Sequence, residues 1–340
     1  MDTDTRIELP TGWSWVSHNQ QEPLTLEGLK ASAIRMVGQT EELYKDDRFG
    51  WMGDLEELLP TQMYKLQMAE ETQVQLSGKL FNAGFRNIPL YAGWNWIGYP
   101  VANAMTPTEA LSKLEAEEGD FLIGQDGMAT YTDGEWIGTL MEMKPGQGYM
   151  YRSASDKSLF YNATAQASSR QMTPRRSTEN WTVDKRKYPN VMGVVAVLSH
   201  DGFEVNADEW LVAAFCGDEC RGVGQNVNGV LMMNVYGTGT ETISFYAMNR
   251  ETEEVLCAAE TENFRMDVIG TVQQPYVLHI GQSTDIHSVE GQESVLSEGN
   301  VYDLQGRRIG EKLSDINAQM KKGVYIVTDR RNVKTQKVAR

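Results

Sequence analysis

An internal repeat headed by paired tryptophans constrains the fold of this chain more than any other feature. The first tryptophan pair, Trp13 and Trp15, and the second pair, Trp94 and Trp96, each follow a glycine and lie 81 residues apart (94 − 13). Three further motif pairs repeat at offsets of 86 and then 85 residues (125 − 39 and 136 − 51): Gly38-Gln39 with Gly124-Gln125, Trp51-x-Gly53-x-Leu55 with Trp136-x-Gly138-x-Leu140, and Pro60-x-Gln62-x-Tyr64 with Pro145-x-Gln147-x-Tyr149. A unit of ~75–80 residues is longer than a solenoid repeat and predicts a small domain duplicated in tandem.

Local signals in the second copy predict a strand, a short helix and an antiparallel meander. Residues 94–101 alternate and are rich in aromatic side chains, as in a strand. The motif Thr106-Pro107-x-Glu109 predicts a helix N-cap with a capping box, and Asp133-Gly134 is a favoured hairpin turn. In the first copy Thr25 takes the cap position, but Gly28 replaces the glutamate. We therefore expect a mainly β fold with short helices (α+β), built from tandem duplicated β-rich repeat domains.

Composition divides the rest of the chain at two polar linkers. Residues 163–180 and 282–298 contain few large apolar side chains, which is typical of linkers. Between them, β-rich runs separated by turns every ~8–12 residues predict an immunoglobulin-like β-sandwich. The strands expected there are residues 191–198, 210–215, 230–236, 242–247 and 276–280. The expected domains are 7–82 (first repeat), 88–162 (second repeat), 181–281 (sandwich) and 299–340 (a small C-terminal β-domain).

Net charge and apolar content argue against several classes of function. The chain has a net charge of −16 and a pI near 4.8, so a basic face for nucleic acid or anionic membranes would have to form against that field. No run of 18 apolar residues is present, and we expect no transmembrane segment. The start, Met1-Asp2-Thr3-Asp4, is acidic and polar, unlike a signal peptide. Either the protein is intracellular or a leader has been removed.

Three segments resemble modules found together in secreted proteins of Bacteroidetes-type bacteria. The repeats resemble the Gly-Trp-Asn-Trp-Ile units of those proteins, and Phe215-Cys216-Gly217-Asp218-Glu219-Cys220-Arg221-Gly222 resembles the hallmark of their β-sandwich module. The tail, with Val301-Tyr302-Asp303-Leu304-Gln305-Gly306-Arg307-Arg308 and then Lys322-Gly323-Val324-Tyr325, resembles the C-terminal sorting domain of the type IX secretion system. The sorting motif that this resemblance implies comprises Tyr302, Gly306, Arg307, Gly323, Tyr325 and Lys337.

The resemblance, together with the lack of catalytic motifs, predicts a non-enzymatic, secreted or cell-surface binding or adhesion protein. It implies export through the inner membrane by a leader absent from this chain, followed by passage across the outer membrane directed by the tail. The expected location is extracellular or on the outer-membrane surface, and the expected partners are the secretion machinery and a glycan or protein ligand. Two alternatives stay open: a C-terminal accessory and export region of a larger secreted enzyme (a protease or glycosidase), and a structural subunit of a surface filament.

Aromatic residues of the repeats carry the binding hypotheses. Within each tryptophan pair the side chains point to one face of a strand, where they form either a stacking platform or, as recurrence in both copies favours, a core packed against the helix of the repeat. The predicted hairpins and the cleft between the two copies are the alternative binding locations, because a glycine beside each hairpin tryptophan would let a partner approach. The candidate partner-binding residues are Trp51, Trp136, Gly53, Gly138, Tyr64 and Tyr149.

No sequence motif indicates catalysis or a metal. The four histidines are dispersed and fit no H-E-x-x-H spacing, and no nucleophile elbow or phosphate loop is present. We therefore expect no catalytic residues, no metal and no cofactor. Glu219 and Arg221 are expected to form a polar pair at the sandwich edge rather than a catalytic group. Cys216 and Cys220 are a candidate disulfide across the predicted turn, which an extracellular compartment would permit.

Overall fold

The structure, a computed structural model, describes residues 2–163 and 181–281, together with the backbone of four strands between residues 298 and 339. Strands dominate these ranges, and the helices within them are single turns of three or four residues. The mainly β fold class with short helices is thereby confirmed. Within the same ranges, no helix has the length and apolar character needed to cross a membrane. Most of the two predicted linkers falls outside the described residues.

The first repeat is a five-stranded antiparallel sheet with two small flanking sheets. Three strands of the main sheet come from a meander and two from the ends of the repeat, in the order β2-β8-β4-β5-β6, while β1 pairs with β9 and β3 with β7. One face, here called the inner face, packs on α1 and the flanking strands around a core that includes Met36 and Leu66. The elements are β1 (Asp2–Leu9), β2 (Gly12–Val16), β3 (Leu24–Thr25), α1 (Glu27–Lys30), β4 (Ala33–Val37), β5 (Glu42–Asp46), β6 (Gly50–Gly53), β7 (Glu57–Leu58), β8 (Tyr64–Met68) and β9 (Thr72–Lys79).

The second repeat has the same sheet, strand for strand. Its order is β11-β15-β12-β13-β14, with β10 paired to β16 at the flank. Its inner face and α2 enclose a core that includes Leu122 and Tyr151. The duplicated sequence therefore encodes a duplicated fold. The elements are β10 (Ile88–Leu90), β11 (Gly93–Gly98), α2 (Pro107–Ala110), β12 (Phe121–Gly124), β13 (Gly127–Thr132), β14 (Glu135–Gly138), β15 (Gly148–Ser153) and β16 (Lys157–Leu159).

Local signals of the second repeat act as their chemistry predicts. The Thr106 hydroxyl accepts a hydrogen bond from the backbone N–H of Glu109, and the Glu109 carboxylate accepts one from the backbone N–H of Thr106, which completes the capping box. Asp133 and Gly134 both have positive φ (52° and 84°), as a two-residue type I′ turn requires. In the first repeat Thr25 lies on β3 instead, and α1 begins after Leu26 with no side-chain cap.

The third module is one continuous ten-stranded sheet that curves around a single core. The path runs β20-β19-β23-β24-β26-β17-β22-β21, with β18 and β25 also paired to β17. Side chains from both halves, such as Val235 and Phe245, share the core. The predicted sandwich differs in that its halves are joined through the pair Ala258 and Ile280, and β17 runs parallel to β26.

Strand bounds in the third module are as follows: β17 (Asn190–His200), β18 (Phe203–Val205), β19 (Trp210–Cys216), β20 (Glu219–Val223), β21 (Gln225–Val227), β22 (Val230–Gly237), β23 (Thr242–Asn249), β24 (Val255–Asn263), β25 (Val268–Ile269) and β26 (Tyr276–Ile280). Short 3-10 helices precede β17 and β19, at Lys185–Lys187 and Ala207–Glu209. The two repeats and this module belong to one compact unit, residues 1–284.

Residues 285–340 form a second compact unit. Its described part is an antiparallel sheet in the order β28-β27-β29-β30, made of β27 (Glu298–Tyr302), β28 (Arg308–Lys312), β29 (Val324–Thr328) and β30 (Thr335–Ala339). Of the six residues of the predicted sorting motif, Tyr302, Tyr325 and Lys337 lie on these strands, and Gly306, Arg307 and Gly323 lie outside the described residues.

Candidate functional site

Reciprocal hydrogen bonds between the two repeats reproduce the symmetry of the sequence. The side chain of Gln125 donates to the carbonyl oxygen of Trp13 at 2.8 Å and accepts from the backbone N–H of Trp15 at 3.1 Å. Gln39, the equivalent residue of the first repeat, forms the same two bonds with the backbone of the second tryptophan pair, at 2.9 and 2.8 Å. Equivalent groups that exchange equivalent contacts define an approximate two-fold axis between the copies.

Both tryptophan pairs lie between modules rather than against the helix of their own repeat. Trp13 and Trp15 are buried, with 8% and 3% of their surface exposed. The indole N–H of Trp15 donates to the carbonyl oxygen of Pro189 at 3.0 Å, and that of Trp94 donates to Asp267 at 3.3 Å. The helices pack on the opposite, inner faces. The expected packing against the helix is therefore wrong, and the first pair is too buried to serve as a platform for sugars.

The outer face of the second repeat's sheet is covered by the third module. Four of its apolar side chains are 2% exposed or less, and they share an apolar cluster with residues of β17 and β22. Polar contacts surround this cluster: the Asn234 amide donates to the carbonyl oxygen of Gly124 at 2.9 Å, and Arg152 pairs with Asp267 at 3.3 Å. The four side chains are Phe121, Ile123, Met128 and Met150.

The outer face of the first repeat's sheet carries different side chains at the same positions. Arg35, Tyr44 and Met52 form a row across β4, β5 and β6, where the second repeat has Phe121, Thr130 and Ile137. Arg35 forms an ion pair with Glu42 and is exposed, as is Met52 at 39%. Phe49, in the turn that joins β5 and β6, is 72% exposed. This surface, called the first outer face below, combines apolar, aromatic and basic groups.

The hairpin tryptophans and glycines serve the packing of their own repeats. Trp51 and Trp136 are half-buried and pack on the inner cores, where Trp136 makes edge contacts with the ring of Tyr151 at 5.9 Å. A Cβ atom on Gly53 or Gly138 would meet a backbone carbonyl oxygen of the facing strand at 2.0 or 2.1 Å. These glycines therefore allow the two strands of each hairpin to approach closely, which accounts for them without a partner.

Tyr64 and Tyr149 fasten equivalent turns inside the two repeats. Each is 1% exposed, and each hydroxyl accepts a backbone N–H and donates to the glutamine two residues earlier. Burial raises the pKa of both phenols above their usual value. The prediction that these tyrosines contact a partner is wrong, because their rings are buried and their hydroxyls form hydrogen bonds inside the repeat.

A cleft of about 110 Å³ lies where the two repeats meet the start of the third module. Lys185 pairs with Asp126 across it at 2.9 Å, and Arg186 donates to the Ser14 hydroxyl at 3.0 Å. Burial alone would raise the pKa of the Asp126 carboxyl, but the ammonium of Lys185 holds it below its usual value. Because these side chains bind each other across the cleft, the cleft is a contact between modules rather than a free binding site. Its polar lining includes Ser14, Gln125, Asp126, Gln147, Lys185 and Arg186.

In the third module, Arg221 is held by ion pairs, and the predicted disulfide does not form. Arg221 pairs with Glu219 at 3.4 Å and Glu241 at 3.3 Å. The candidate disulfide is absent: Cys216 and Cys220 are free thiols. The strand register pairs Cys220 with Phe215 rather than Cys216, which places the two cysteines on opposite faces of the sheet. Where side chains are described, no three His, Cys, Asp or Glu residues are placed to hold a metal ion.

Comparison with models of known protein families gives no match for this chain, and comparison with curated proteins gives none either.

Proposed function

We propose that this chain is a non-enzymatic, secreted or surface-attached protein that binds a protein partner through the first outer face and is exported by a type IX secretion system. The observation that carries the binding proposal is the different use of one surface in two copies of a fold. The second repeat binds a β-sheet module with its outer face, whereas the first repeat leaves the β4, β5 and β6 part of the same face open.

The chemistry of the first outer face favours a protein over a glycan. Aromatic residues, methionine and arginine are enriched at protein interfaces, and this face presents Tyr44, Met52 and Arg35 in one row. The turn between β5 and β6 adds the exposed ring of Phe49. The first tryptophan pair, a candidate platform for sugars, is buried at the junction. In the second repeat, Arg152 pairs with an acidic residue of the docked module. We therefore propose a partner that presents a β-sheet face with apolar side chains and an acidic group.

Binding to cells tests this role directly. The labelled full chain is expected to bind intact bacterial or mammalian cells saturably. Binding should be lost when the cells are treated with protease and retained when they are deglycosylated enzymatically. The double variant Arg35→Glu, Met52→Glu is expected to bind at least tenfold more weakly, because it reverses the charge at one position of the row and adds a negative charge at another. Phe203→Glu, at an exposed site on the third module, is the matched control. Binding unchanged in the double variant, or binding that only deglycosylation removes, would contradict the proposal.

The export part of the proposal rests on residues 299–340. They belong to a compact unit separate from residues 1–284, as a removable sorting domain would. In a bacterium that has a type IX system, a chain with an added leader but without residues 299–340 is expected to stay folded in the periplasm. Surface proteolysis of whole cells reads out delivery. Undiminished surface delivery of the truncated chain would refute the sorting role.

A further inference from the structure

A fully buried lysine lies inside the junction where the two repeats and the third module meet. Lys65, on β8, is 1% exposed. Its neighbours Tyr64 and Leu66 point to the inner core, so its own side chain points to the outer side of the sheet. The equivalent residue of the second repeat is Met150, which is apolar and equally buried. An ionisable amine therefore occupies a buried position at which the other copy of the fold has an apolar side chain.

Indole rings from both repeats enclose the amine of Lys65. Its Nζ lies 4.8 Å from the ring centre of Trp15 and 4.2 Å from that of Trp96. It donates to the Asn190 side-chain oxygen at 2.9 Å and lies 3.5 Å from the sulfur of Met266, both in the third module. One amine thus contacts all three modules.

No carboxylate of the described residues forms an ion pair with Lys65. Of the charged groups on the elements around it, Asp267 binds Arg152, Arg265 binds Glu262, and Arg186 donates to the Ser14 hydroxyl. On the neighbouring strand β4, Arg35 binds Glu42. The two indole faces and the amide oxygen of Asn190 favour the ammonium form. Burial opposes them and lowers the pKa of Lys65 to about 7.

We propose that Lys65 makes the junction of the three modules sensitive to protons: uptake of a proton by its amine weakens the packing of the first repeat against its neighbours, and release strengthens it. The ammonium must lose its hydration to stay between the indoles, and among the described residues no carboxylate compensates for that loss. The neutral amine keeps its hydrogen bond to Asn190 without that penalty.

The direction of the pH dependence follows from the two states of the chain. In the unfolded chain the amine keeps its proton up to about pH 10.5, the ordinary value, whereas in the folded chain it releases the proton above about pH 7. Between these values unfolding takes up a proton, so the folded state gains stability as pH rises through this window. Below about pH 7 both states carry the proton and the gain is lost.

Denaturant unfolding of the full chain from pH 6 to pH 10 tests the proposal with Lys65→Met, the residue found in the second repeat. Relative to this variant, the unfolding constant of the wild type should fall about tenfold per pH unit between about pH 7 and 10. Lys45→Met, at an exposed lysine of the same repeat, is the control and should show no such trend. A wild-type to Lys65→Met ratio that stays constant with pH would overturn the proposal.

A second measurement does not depend on a folded variant. NMR of the wild-type chain with isotopically labelled lysines follows the amine of each lysine through its titration. One lysine signal is expected to titrate near pH 7, and it should show contacts with indole protons. A Lys65 signal that titrates in the ordinary range near pH 10.5 would overturn the proposal, whatever the stability of the variant.

Discussion

The outer face of the second repeat's sheet is covered by the third module, whereas that of the first repeat is covered on β2 and β8 and open to solvent across β4, β5 and β6. The strand order, the inner core, the tyrosine-fastened turn and the glutamine exchange are the same in both copies. The outer faces differ, with Phe121 and Met128 in the second repeat where the first has Arg35 and Glu42. Inner-face residues thus specify the repeat fold. Outer-face residues determine whether that face packs against another module or faces solvent.

The largest expected effect separates the two outer faces at one equivalent position. Phe121→Ala should lower the free energy of unfolding by about 3–5 kcal/mol, because a fully buried ring leaves a cavity against the third module. Arg35→Ala, at the matching position of the first repeat, should change it by about 0.5 kcal/mol or less, because its ion pair is exposed. Denaturant unfolding measures both, and equal losses would break the comparison.

An intermediate effect is expected where the two copies hold each other. Gln125→Ala removes two hydrogen bonds to the backbone of the first tryptophan pair and should cost about 2 kcal/mol. Gln39→Ala removes the equivalent bonds at a more exposed position and should cost less. If the copies pack independently of this exchange, neither variant will shift the unfolding midpoint.

The smallest effect concerns the helical turns. Thr106→Ala should cost about 1 kcal/mol, because it removes a complete capping box. Thr25→Ala, at the equivalent sequence position, should stay within about 0.5 kcal/mol, because α1 has no side-chain cap. Thermal unfolding of the two variants side by side measures the difference, and a loss at Thr25 as large as that at Thr106 would mean that both copies cap alike.

Local signals with their own chemistry were predictable from the sequence. The capping box at Thr106, the turn at Asp133-Gly134 and the strand at Tyr276–Ile280 all agree with the structure. Strand β24 (Val255–Asn263) was not predicted, because its polar second half lacks a clear alternation. The prediction of a disulfide is wrong, because the strand register and not the sequence spacing determines which cysteines face each other.

The role of the outer faces could not be predicted from the sequence. On a strand, Lys65 alternates with buried neighbours and has the pattern of a solvent-facing residue. Only the assembled modules bring Trp15, Trp96 and Asn190 around its amine. The sequence does hold one signal of this difference: Lys65 in the first repeat stands at the position equivalent to Met150 in the second. Such a pair marks a site where the two copies differ in environment.

Oxidation of native methionines by hydrogen peroxide, followed by peptide mass spectrometry, tests the central comparison without any substitution. Met52 on the first outer face should oxidise rapidly, as should Met141, which is 44% exposed. Met128 and Met150 on the second outer face should stay protected until the chain unfolds, because they are 0% and 2% exposed. Oxidation of Met128 and Met150 in the folded chain at the rate of Met52 would contradict the account, because the third module would then not cover that face.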